Sequence, residues 1–242
     1  NVGIGTDSLQ GNISGSSNVA IGDDALKTNS TASNNTAVGI SALCTNSTGA
    51  NNVALGSCAL RDNTTAANNI AVGKGAALKT TTGGNNTIVG MNSFNCNTTG
   101  ASNVAIGQAA LQENTTADGN TAVGVSSLQV NTTGASNTAL GSNSLLANTT
   151  ADFNTAIGTC SMLTNITGEE NTAVGFNSLK TSTVSNNTAF GSQSLRGTTT
   201  GANNTAVGRD AMKANTTGAS NTAVGKDALV GNTTASNNVA IG

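Results

Sequence analysis

The 242-residue chain contains no His, Trp, Tyr or Pro, only 4 Phe and 4 Cys, and just 8 % charged residues. Without His, no Ser-His-Asp or Cys-His centre can be built, and the few Lys are too scattered to replace it. We therefore expect a protein that is not an enzyme, with no catalytic residues. The 9 bases and 11 acids give a formal charge of -2, which offers no field for nucleic acid. No apolar run approaches the ~20 residues of a bilayer span, and no basic-then-apolar leader opens the chain. With almost no aromatics, the large side chains that usually fill one globular core are missing as well.

A repeat takes the place of that core. The glycines Gly5, Gly22, Gly39, Gly56, Gly73, Gly90, Gly107, Gly124, Gly141, Gly158, Gly175, Gly191, Gly208, Gly225 and Gly242 close fifteen copies of one short motif. Thirteen of the fourteen intervals are 17 residues and one, Gly175 to Gly191, is 16. The unit reads N-T-A-V-G-x-x-A-L-x-x-N-T-T-G-x-x, numbered here from its Asn. Position 1 is always Asn, position 5 always Gly, position 2 always β-branched and position 4 always apolar, while position 3 is Ala except at Gly3 and Ile88. Position 8 is Ala or Ser, and position 9 is Leu or another large apolar residue except at Ala77.

Positions 1 to 5 suit a strand. Alternation would place positions 2 and 4 inside and positions 1, 3 and 5 on the other face. On that reading Val38, Leu43, Leu55, Leu60, Val123 and Leu128 form the core ladder. Asn18, Asn35, Asn52, Asn103, Asn120 and Asn137 form a stacked amide row. All twenty charges fall at positions 6, 7, 10, 11, 16 or 17, which marks those as solvated corners. A strand-turn unit that cannot bury its own apolar face stacks on its neighbours. We therefore expect an all-β parallel β-solenoid of 17-residue coils over residues 1–242. The chain starts at a repeat boundary and ends at the motif glycine, as a window of a longer array would.

The almost unvarying Ala of position 3, at Ala122, Ala139 and Ala156 for example, admits two readings. It lines a seam between chains, or it relieves crowding at a tight corner. About two large side chains per coil bury little apolar surface for 17 ordered backbones, and this thin core favours a second chain.

Segments such as Asn18-Val19-Ala20-Ile21-Gly22, Asn52-Val53-Ala54-Leu55-Gly56 and Asn103-Val104-Ala105-Ile106-Gly107 resemble the head repeats of trimeric autotransporter adhesins. Similar repeats occur in phage tail-fibre shafts. The resemblance implies a left-handed β-roll, homotrimeric or filamentous self-association, and an extracellular, cell-surface or virion setting. It also implies that a host-surface or matrix ligand is met through a part outside this chain. The coil here is longer than the adhesin repeat, and the Asn-Thr-Thr stretch is additional. The function expected is a structural fibre shaft supporting adhesion or receptor binding. The alternatives are an ice-binding solenoid, from the aligned Thr64, Thr81, Thr98, Thr115 and Thr132, and a single-chain filament.

The remaining motifs imply no cofactor and no metal. Acids do not recur at one unit position, and no G-G-x-G-x-D pattern occurs. Cys44, Cys58, Cys96 and Cys160 lack metal spacing. Cys44 and Cys58 lie in neighbouring coils, near enough to pair across a corner. Eleven N-x-S/T sequons start at position 12 (Asn12, Asn29, Asn46, Asn63, Asn97, Asn114, Asn131, Asn148, Asn165, Asn215 and Asn232). They admit either a sugar-coated rod or an Asn ladder that matches the sequon by accident.

Overall fold

The structure, a computed structural model, describes residues 1–242. It is an all-β parallel β-solenoid of fifteen three-residue strands and no helix. In order these are β1 (Val2–Ile4), β2 (Val19–Ile21), β3 (Thr36–Val38), β4 (Val53–Leu55), β5 (Ile70–Val72), β6 (Thr87–Val89), β7 (Val104–Ile106), β8 (Thr121–Val123), β9 (Thr138–Leu140), β10 (Thr155–Ile157), β11 (Thr172–Val174), β12 (Thr188–Phe190), β13 (Thr205–Val207), β14 (Thr222–Val224) and β15 (Val239–Ile241). No helix is long and apolar enough to cross a membrane.

The chain divides into two compact units, Asn1–Asn120 and Thr121–Gly242. In the first, β1 to β7 pair in sequence order; in the second, β8 to β15 do the same. Pairing is parallel and in register, so Ala37 meets Ala54 and Val38 meets Leu55 in the first unit. Ala139 meets Ala156 and Leu140 meets Ile157 in the second. Each residue thus stacks on its equivalent in the next coil, about 4.8 Å away. The ladder continues beyond the strands: Leu60 N–H donates to Ala76 O at 3.0 Å, and Asp62 N–H to Leu78 O at 3.0 Å.

The interior is narrow, and it reverses the expected facing of the strand. Position 3 points inward: Ala37, Ala54, Ala122, Ala139 and Ala156 are 0 % exposed. Opposite lies position 9, where Leu43, Leu60 and Leu128 are likewise 0 % exposed. Positions 2 and 4 therefore point outward. Val38 and Val123 are half-buried and Leu55 is 37 % exposed, so these three do not belong to the core ladder expected of them. A one-residue change of phase moves a whole strand's side chains to the opposite face.

The physical reason is room. A Cβ built on Gly3 lies 3.0 Å from Ser8 Oγ and 3.6 Å from Leu9 Cδ1, so the space between strand and second segment takes one methyl group and no more. A Val or Leu there would collide with the buried position-9 side chain. In the coil with Ala77 at position 9, the lost volume is offset next door, where Ile88 replaces Ala at position 3 and is 0 % exposed.

Coil closure needs unusual backbone. Position 9 is left-handed in every coil, including Leu26 (φ 49), Leu43 (φ 50), Leu128 (φ 49) and Met162 (φ 47). Positions 7 and 17 are left-handed too, as at Asp24 (φ 56) and Asn34 (φ 62). Asn tolerates this region; a buried Leu is an unusual occupant. The motif glycine satisfies two demands at once. Gly141 has φ +132, and a Cβ on it would lie 2.7 Å from the backbone carbon of Gly158 in the next coil.

Candidate assembly surface

Two buried amide rows hold the coils in register. At position 1, the Asn35 N–H donates to Asn18 Oδ1 and the Asn52 N–H to Asn35 Oδ1, each at 2.9 Å. Asn103 and Asn120 continue the row in the first unit, the Asn120 N–H reaching Asn103 Oδ1 at 2.9 Å. In the second unit the Asn154 N–H reaches Asn137 Oδ1 at 2.9 Å. Their own amide groups close the coil, as when Asn52 Nδ2 donates to Ala66 O at 2.9 Å. Low dielectric makes such satisfied rows strong and any break in them costly.

The position-12 Asn form the second row. Asn46 Nδ2 donates to Asn29 Oδ1 at 2.9 Å and to Gly49 O at 2.9 Å. Asn29, Asn46, Asn63, Asn97, Asn114, Asn131, Asn148, Asn165 and Asn215 are 0 % exposed, so a glycan on any of them would have to break the row. The aligned position-13 hydroxyls are committed as well. Thr64 Oγ1 donates to Thr81 O at 3.1 Å, and Thr98 Oγ1 to Thr115 O at 3.0 Å.

Charges sit at the corners and partner locally. Lys27 Nζ lies 2.9 Å from Asp24 Oδ1 and 3.0 Å from Asp7 Oδ2. The hydrogen bonds that Lys27 donates to Asp24, and then to Asp7, hold its ammonium above its ordinary pKa. Arg61 pairs with Asp62 at 2.7 Å. Such half-exposed pairs contribute little. All four thiols are free, Cys44 and Cys58 included, and burial is the first cause that pushes the Cys44 thiol up. No group of three or more Cys, Asp or Glu is placed to hold a metal ion.

What the coils do not bury is a sheet face. Because pairing is in register, position 4 makes a column of aliphatic groups in each unit. In the first unit Ile21, Leu55, Val89 and Ile106 are 37–38 % exposed. In the second, Leu140 is 44 % and Phe190 53 % exposed, with Val207 and Val224 at 37–38 %. Beside it runs position 2, with Val53 and Ile70 in the first unit and Thr138, Thr155 and Thr172 in the second. No charge occurs at either position in any copy. Uncharged, with an apolar column at its centre, this face is the kind that marks an association surface.

The expected seam residues Ala122, Ala139 and Ala156 lie on the other side of the strand, wholly inside the coil. They cannot touch a second chain. The near-invariance of Ala at position 3 belongs instead to the narrow interior. The sequence does not reveal the outward column, because β-branched and aliphatic residues in a strand look the same on either face. A large position-9 residue in every coil but that of Ala77 is the signal that the facing strand position has to be small. Neither a family model nor a curated protein matches the chain.

Proposed function

We propose that the chain is a non-enzymatic structural fibre shaft that self-associates through the outer faces of its strands, as a homotrimer or a filament. The observation that carries this reading is the in-register, charge-free column of position-4 side chains flanked by position 2. A solenoid acting alone in water would gain solubility from Lys or Glu at these sites, as edge and surface strands commonly do. Instead they are apolar at position 4 in all fifteen copies. The resemblance to adhesin head repeats and tail-fibre shafts supports an extracellular or virion-borne setting, where such a shaft would carry an adhesive or receptor-binding part.

The test is the mass of the native particle by sedimentation, for the wild type and for a variant with Leu140→Lys and Val224→Lys. We expect the wild type to sediment as an assembly and the variant as a 23.5-kDa monomer with an unchanged circular dichroism spectrum. A wild type that stays monomeric at micromolar concentration would overturn the proposal.

One observation favours a second reading. In the second unit, position 2 is Thr in seven successive strands, from Thr121 to Thr222, beside the aliphatic column. A rank of hydroxyl and methyl groups at coil spacing is what an ice-binding face would use. A freezing-point gap that disappears on replacing Thr138, Thr155 and Thr172 with Lys would put this reading first.

A further inference from the structure

Charge is unevenly distributed along the chain. Residues 180–230 hold five of the nine bases and only two of the eleven acids, so this stretch carries +3 while the rest of the chain carries -5. Three of those bases, Lys180, Arg196 and Lys213, occupy position 10 of three successive coils, and no other three successive coils have a cation there. Coil spacing sets them about 4.8 Å apart along the stack.

Beside this row lies a cavity of about 460 Å³, lined by Thr181, Arg196, Gly197, Lys213, Ala214 and Val230. Its floor is low because position 11 is Gly197 and Ala214, small as at Gly11, Ala147 and Gly231, whereas coils such as those of Thr28, Thr45, Asp62 and Lys79 carry a larger residue there. The Gly197 site is also tight, since a Cβ there would lie 2.8 Å from Lys213 O. Thr181 leaves its methyl group for the wall, because its hydroxyl is spent on Arg196 O and Thr198 O, both at 2.9 Å.

The cations are only partly neutralised. Asp210 pairs with Lys213 at 3.0 Å and with Arg209 at 3.1 Å. The exposed Arg196 guanidinium meets only the amide oxygen of Gln193, at 3.4 Å, and none of the ion pairs includes Lys180. A guanidinium without a carboxylate partner beside an apolar floor is a fork suited to one.

We propose that this groove binds a linear carboxylated polysaccharide, with uronate carboxylates on Arg196 and its neighbours Lys180 and Lys213 and the C–H faces of the sugar rings over Gly197, Ala214 and Val230. A row of cations in successive coils suits a chain of regularly spaced anions better than one small anion. Nucleic acid fits less well, because no aromatic side chain lines the groove to stack a base. The groove lies at the position-10 and position-11 corner, off the assembly face, so binding does not depend on self-association.

The test is calorimetric titration of the full 242-residue chain with α-1,4-linked tetragalacturonate. Neutral maltotetraose and a DNA dodecamer serve as comparison ligands. We expect the tetragalacturonate to bind, to weaken with added salt, and to lose about tenfold in affinity on Arg196→Gln, the scale of one charge-assisted hydrogen bond. Lys180→Gln should weaken it further, and Lys74→Gln, in the first unit, should leave it unchanged. No binding, equal binding of maltotetraose, tighter binding of the DNA, or an equal loss with Lys74→Gln would each overturn the proposal.

Discussion

Leu128 offers the sharpest test of the coil geometry, because it combines complete burial with a backbone conformation that Leu rarely adopts. It is 0 % exposed with φ 49. Truncation to Ala removes a buried isobutyl group, for which the expected loss is about 2–5 kcal/mol. Truncation to Gly removes one carbon more, and in ordinary backbone it would cost roughly 0.5–1 kcal/mol beyond Ala. Here the order should invert. A Cβ in the left-handed region costs about 1–2 kcal/mol that Gly avoids, so Leu128→Gly should be the more stable of the two variants by up to about 1.5 kcal/mol. Urea unfolding followed by far-ultraviolet circular dichroism measures both, the chain having no Trp to report by fluorescence. If Leu128→Ala costs less than about 1 kcal/mol, the interior placement is wrong; if Ala outlasts Gly by the ordinary margin, the left-handed conformation is wrong.

Three further expectations follow from the same geometry. Ala139→Trp should unfold its coil, since Ala139 is 0 % exposed and overpacking costs typically ~1–3 kcal/mol or more. Leu140→Lys, one residue on, should leave monomer melting within about 0.5 kcal/mol; equal melting losses would refute the assigned facing. Thr80→Asn should stabilise the chain by about 1 kcal/mol, because Asn63 Oδ1 lacks a partner where Thr80 interrupts the position-12 row and Asn97 Nδ2 already reaches toward it at 3.4 Å; a lowered urea midpoint would refute this. The Lys213 ammonium, paired with Asp210 at 3.0 Å, does more than the nearby Arg209 to hold the Asp210 carboxyl below its ordinary pKa. Its contribution should be complete at neutral pH, begin to fade near the ordinary Asp value of ~3.9 and vanish below the depressed one. An acid unfolding limb unchanged by Asp210→Asn would refute it.

The period, the short strand after each position-1 Asn, the buried Leu of position 9 and the charged corners were all legible in the residues, because each recurs with little variation. The facing of the strand was not. Thr36-Ala37-Val38 alternates in either phase, and hydrophobicity alone favours putting Val inside. The phase is decided by volume across the coil, where Leu43 leaves space for Ala37 but not for Val38. The one coil that departs from the pattern carries the same information, since Ala77 and Ile88 exchange a large and a small residue between adjacent coils. Three left-handed residues per coil were partly legible. Asn34, Asn51 and Asn68 at position 17 are residue types that tolerate that region, whereas Leu at position 9 gives no such sign, its side chain being chosen for the volume it fills.

The narrow interior and the apolar outer face have one cause. A 17-residue coil with its amides in two stacked rows has room for one Leu and a few methyl groups, so it cannot enclose the aliphatic residues of its own strand. Those residues still favour a parallel ladder, where β-branched and aliphatic side chains pack against their equivalents in the next coil. Val38 on Leu55, or Leu140 on Ile157, gains that lateral contact while one flank stays open to water. A coil built to stack therefore arrives with an outer face incompletely covered, and that face is uniform along each unit because the register is. Burial against another copy would complete what the coil interior is too thin to provide, which is why the proposed assembly rests on positions 2 and 4 and leaves the enclosed Ala of position 3 untouched.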